Sequence, residues 1–227
     1  MIRTLRAAWL IARKDLIVET RSRELAYTTV FFALSCLLIF AFSFVKDGAA
    51  APDAAAAILW VSLTFAGTLA LGRAFERERE GETLRALILA PVERPAVYLG
   101  KLVALLLLMA GVEVIIVPLV GLLFAAPIGR APLLLAGLLA AGTLGFASVG
   151  TLFAAMLLRA RSRDVLLPVV LYPIIIPVVI AGVRGTAAIF ADEPNLGMAQ
   201  AWLSMLVFFD VVFTTLALWT FGPVMNE

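Results

Sequence analysis

Six stretches of this chain are apolar for about the length a helix needs to cross a bilayer. A spanning helix takes about 20 mostly apolar residues, and the runs that qualify cover residues 25–45, 54–72, 102–126, 131–158, 165–183 and 201–222. Apolar residues make up 63% of the chain and charged ones 15%. A soluble domain carries roughly 45–50% and about 25%, so an ordinary buried core does not account for the excess. The expected fold is an all-α membrane protein in which residues 1–227 form one domain of six transmembrane helices.

The basic residues orient that bundle. With the N-terminus in the cytoplasm, 15 of the 18 Lys and Arg residues fall in cytoplasmic segments, and only Lys46, Arg130 and Arg184 fall outside. That asymmetry is the signature of a multi-pass inner-membrane protein of a bacterium, with both termini cytoplasmic. The longest external piece is expected over residues 184–200. Residues 2–22 place Ile2, Leu5, Trp9, Ala12 and Leu16 at three- and four-residue spacing between basic side chains, the pattern of an amphipathic helix in the membrane interface. The stretch Ala7–Ala12 is too short for the apolar core of a cleavable leader, so the first span is expected to serve as an uncleaved signal.

Several classes of chemistry are excluded. A net charge of +2 gives no electrostatic basis for nucleic-acid binding. Histidine is absent and Cys36 is the only cysteine, which leaves neither a multi-cysteine metal site nor the commonest general base. Gly100-Lys101 is followed by Leu102, without the Ser or Thr that a phosphate-binding loop needs. No catalytic, cofactor or metal site is expected, and an intramembrane enzyme lacks its clustered motif. Two acids do lie at membrane depth, Glu113 and Asp210. Each costs about 2.5–3.5 kcal/mol at the bilayer centre on insertion scales. They are expected to sit at a helix interface or along a pathway.

Residues 73–101 carry the most information. Charges alternate from Glu76 to Glu82 around Arg77, Glu78, Arg79 and Glu80, broken by Gly81. A short amphipathic helix is then expected, with Leu84, Leu87 and Ile88 on one face and Pro91 as its stop. A loop that only obeyed the charge rule would need bases alone; this one carries at least as many acids, which favours docking of a soluble partner. Elsewhere, Pro168, Pro173 and Pro177 are expected to kink the fifth span, and Gly137, Ala141 and Gly145 give the fourth a close-packing face.

The run REREGETLRALILAPVERPAVYLGK resembles the cytoplasmic loop of the cytochrome c maturation protein B family, the permease components of a haem-exporting ABC transporter. The opening ARKDLIVETRSRE, the segment ILWVSLTFAGTLALGRAFERE and the proline-containing RDVLLPVVLYPIIIPVVIAG are similar to the family in the same order. The resemblance implies a permease subunit required for c-type cytochrome biogenesis. By that resemblance haem would be the transported or handled species, and no cofactor is expected to be bound by this chain itself. The implied partners are an ATP-binding subunit in two copies, which would hydrolyse the ATP, a haem-handling membrane subunit, and membrane lipid. By position, Arg77, Glu78, Gly81, Thr83, Leu84, Leu87 and Pro91 would dock the ATPase. A permease for another lipophilic substrate, or an assembly scaffold that transports nothing, keeps the same architecture.

Overall fold

In hydrocarbon no water satisfies a backbone N–H or C=O, so each apolar run closes its own hydrogen bonds as a helix. The computed structural model describes residues 2–44, 52–80, 93–157 and 162–224, and among these it contains seven helices and no strand. They are α1 (Ile2–Ser22), α2 (Glu24–Phe44), α3 (Pro52–Glu80), α4 (Arg94–Leu123), α5 (Pro132–Met156), α6 (Arg163–Phe190) and α7 (Leu196–Val224). Six of them, α2 to α7, are long and apolar enough to cross a membrane. The chain is thus an all-α, multi-pass membrane protein.

Both helices that flank the loop outrun the bilayer. At 29 and 30 residues, α3 and α4 are each about 44 Å long, against a hydrocarbon core of about 30 Å. The end of α3 and the start of α4 flank residues 81–92, and this end of the bundle is called the loop end below. The other end carries the short connections between α4 and α5 and between α6 and α7. Pro95 sits in the first turn of α4 and Pro132 opens α5, where a missing N–H costs nothing.

One expectation is corrected here. The long external segment over residues 184–200 is mostly helical. α6 continues to Phe190 and α7 begins at Leu196, leaving residues 191–195 between them. Burial of Ala187, Ala188, Ile189 and Phe190 holds the last turns of α6 in the core. Asn195 makes the corner: its N–H donates to the Ala188 carbonyl at 2.9 Å, and its side chain accepts from the Met198 N–H at 2.9 Å as an N-cap. On α1 the side chains packed inside the protein and those left outside differ in size. Ala8, Ile11 and Ala12 are buried, whereas Leu5 and Trp9 are more than half exposed. The small residues face α4 because only they permit close approach, and the large ones are left on the outer surface.

The buried apolar side chains fall into two clusters. One, at the far end, joins Trp60, Leu63, Ile116, Leu138 and Phe190. The other, at the loop end, joins Ile11, Phe75, Tyr98, Met109, Phe146 and Phe221. On α4 the boundary falls between Met109 and Val112, and on α5 between Ala141 and Phe146. Glu113, Thr143, Gly145 and Asp210 lie on or beside that boundary.

Candidate functional site

The loop end is built on the first three turns of α4. Thr4 donates to the Glu93 carboxylate at 2.5 Å, and Lys101 meets Asp15 at 2.5 Å with its side chain only 9% exposed. Between these contacts lies Gly100, where a Cβ would come within 2.7 Å of the Ile11 Cβ and 2.8 Å of the Ala8 carbonyl. The backbone of α1 therefore lies against α4 where only glycine fits. On its other sides the same stretch holds two more helices. Arg94 donates to the Gly222 carbonyl of α7 at 3.2 Å, and the Tyr98 hydroxyl donates to the Ser148 carbonyl of α5 at 3.1 Å. Tyr98 also packs on Phe221, with ring centroids 5.3 Å apart. The start of α4 is thus tied to α1, α5 and α7 within eight residues of residue 93.

At its C-terminal side, α1 reaches α2 through a sharp corner. Arg23 adopts φ 55°, a left-handed conformation that a non-glycine residue adopts only under constraint. Glu19 supplies the constraint: its carbonyl accepts from the Arg23 N–H at 2.6 Å, and its carboxylate accepts from the Ala26 N–H at 2.7 Å, capping α2.

α3 is fastened by shape. The Trp60 indole enters between α5 and α6, and a methyl group at Gly142 or Gly182 would overlap its ring. Its N–H donates to the Thr186 hydroxyl at 2.9 Å, so the buried polar edge is satisfied. Further along, Phe146 fills the notch at Gly67, with 2.6 Å left for a Cβ, and Leu71 fills the notch at Gly150, with 2.8 Å. A glycine on either helix admits the partner's side chain, as small residues do in membrane bundles.

The two acids meet α5 at nearly the same height. Thr143 donates to Glu113, and a Cβ at Gly145 would lie 2.8 Å from Asp210 Oδ1. Thr143 and Gly145 are two residues apart, so they point to different sides of α5. Glu113 is half-buried and partnered, whereas Asp210 is 6% exposed and its Oδ1 meets no hydrogen-bond donor among the described residues. Gly137 takes Leu203 of α7 at 3.4 Å, so this glycine face packs within the chain.

The remaining expected residues are placed as follows. Gly81, Thr83, Leu84, Leu87 and Pro91 lie outside the described residues; Arg77 and Glu78 continue the backbone of α3. Pro168, Pro173 and Pro177 all lie inside α6, which runs through them unbroken. Pro168 lines an open cavity of about 480 Å³ between α2, α3 and α6, beside Arg73, Phe65 and Tyr172. Pro173 is exposed on the flank of the bundle, and Pro177 is half-buried. Among the described residues, no three Asp, Glu, Cys or His side chains come together as a metal site would require.

The CcmB protein family matches the chain over residues 6–225. The chain belongs to the CcmB family. A comparison with curated proteins finds no match. Family and architecture together make the chain a membrane subunit of the haem-export type, in the process of c-type cytochrome biogenesis. CcmB proteins are permease subunits, and they work within an ABC transporter system. Sequence reasoning missed Trp60, Gly100, Gly142, Gly182 and the pairing of Asp15 with Lys101. Asp15 and Lys101 lie 86 residues apart, and one sequence contains no signal that joins them. A tryptophan and distant glycines likewise show complementarity only once the helices are adjacent.

Proposed function

We propose that this CcmB protein takes up movement from a separate ATP-binding subunit through residues 73–101 and passes it to the bundle during haem export. The loop end would face the cytoplasm of the bacterial inner membrane, with both termini on that side. Arg77, Glu78, Gly81, Thr83, Leu84, Leu87 and Pro91 form the docking segment, two ATP-binding subunits supply the hydrolysis, and a haem-handling membrane subunit takes the product onward. Haem is handled as cargo.

The observation that carries this reading is the fastening of the two helices that flank the docking segment. A push on a loop held by loose helix ends would be absorbed locally. Here α4 is tied to α1, α5 and α7 within its first turns, and α3 is keyed into α5 and α6. Because α2 also packs on α3 and α4, load on the loop reaches every span directly. It arrives at the level of Glu113 and Asp210, and we assign at least one of these acids to coupling. Co-purification tests the docking role. The wild-type protein should bring down an ATP-binding subunit from native membranes, and Leu87→Asp should lose it while remaining in the membrane. Equal recovery of that partner with Leu87→Asp would remove the basis for the docking segment.

A further inference from the structure

Behind the ion pair of Asp15 and Lys101 lies a cavity of about 280 Å³, walled by α1, α2, α3 and α4. Its charged lining residues are Lys14, Asp15, Glu19 and Lys101. All four lie on α1 or at the loop-end turn of α4. The remaining lining is apolar and includes Leu25, Leu71, Phe75, Leu105 and Leu108. Leu25, Leu71, Phe75 and Leu105 are themselves buried. From Lys101 to Leu108 the wall descends seven residues of α4, about 10 Å along the helix axis. The cavity is therefore polar at one end and apolar below it, and it runs in the direction of the membrane normal.

Its lining limits what suits it. A cavity of about 280 Å³ with charge at its mouth and an apolar wall about 10 Å deep matches an amphiphile, with a polar head group and a hydrocarbon chain below it. Both signs of charge stand at the mouth. Lys14 bridges to Asp15 at 2.9 Å and Lys101 bridges to it at 2.5 Å, which suits a head group that carries both signs better than a bare anion.

We propose that this cavity is a structural lipid site, which takes one acyl chain of a zwitterionic phospholipid from the leaflet beside α1. The chain lies along Leu71, Leu105 and Leu108, and the head group rests at Lys14 and Lys101. The lipid fills the gap between α1 and the α3–α4 pair below the Gly100 contact. It thus completes the seating of α1, whatever the docking segment binds.

The test is lipid retention by the purified full-length protein. After exhaustive detergent exchange, native mass spectrometry of the wild type should show a bound phospholipid of about one copy. Ala104→Trp, which fills the slot from α4, should lower that occupancy at least several-fold. A spin-labelled phosphatidylethanolamine in vesicles of phosphatidylethanolamine and phosphatidylcholine should show an immobilised component with the wild type, and little with Ala104→Trp or Leu108→Trp. If one Trp variant misfolds, the other and the wild-type spectrum still decide. Absence of a retained lipid and of an immobilised component in the wild type would overturn the proposal. So would undiminished occupancy in folded Trp variants, or retention of a porphyrin, seen by its Soret band, in place of the lipid.

Discussion

The two ends of the bundle are held by different physics. At the far end a single tryptophan is locked between glycines of two helices, with one hydrogen bond at its edge. The connection there is also pinned: Arg130 donates to the carbonyls of Phe190 and Ala191, where a cation suits the helix terminus. At the loop end the start of α4 is held by an ion pair, three hydrogen bonds and the glycine notch at Gly100. Dispersion packing of a rigid ring fails abruptly once the ring is displaced, because its attraction falls off within an ångström. Charged side chains on long stems keep their attraction over several ångströms. The far end is suited to staying fixed, and the loop end to shifting without coming apart.

The contrast sets an order of expected effects. Trp60→Ala should be the most damaging, with a loss of about 3 kcal/mol or more from lost packing and the open volume left behind. Its measure is the midpoint of thermal aggregation in detergent. Gly182→Val should behave alike, since its side chain claims the space of the ring. Gly100→Leu comes next. It should separate α1 from α4 and leave the spans intact, so that the protein accumulates in membranes while c-type cytochrome yield falls several-fold. A Gly100→Leu protein that unfolds as readily as Trp60→Ala would erase the distinction between the two ends.

Lys101→Met is expected to cost about 2 kcal/mol, because it leaves Asp15 half-enclosed beside no cation from α4. The double substitution with Asp15→Asn should recover most of that loss; a double variant as unstable as the sum of the singles would show that the two residues do not interact. The smallest effects on stability belong to the acids. Glu113→Gln keeps an acceptor for Thr143, and Asp210→Asn keeps the shape against Gly145, so each should shift stability by less than about 1 kcal/mol. Their effect is expected in cytochrome c assembly instead, and normal assembly in both variants would remove them from coupling.

Much of the architecture is legible in the chain. The spans can be read because lipid forces a simple rule, about 20 apolar residues in a helix, and that rule leaves the same mark at every span. Helix ends are less legible. Charges such as Arg184 mark an aqueous boundary and not a helix terminus, and α6 continues past Arg184 to Phe190 because its last residues are buried. The contact of α1 with α4 escapes periodicity, which marks the large apolar residues suited to the membrane interface, whereas close helix contact selects small ones such as Ala8. The proposed docking segment rests on charge alternation and family resemblance alone, and residues 81–92 lie outside the described structure.

The most direct measurement is photo-cross-linking in native membranes from two positions, one at each end: Leu87 in the docking segment and Ile128 between α4 and α5. A photoreactive amino acid at position 87 should form an adduct with an ATP-binding subunit, and the same group at position 128 should not. An ATPase adduct from position 128, or none from position 87 in a functional complex, would contradict the assignment of the loop end as the place where ATP-driven movement enters.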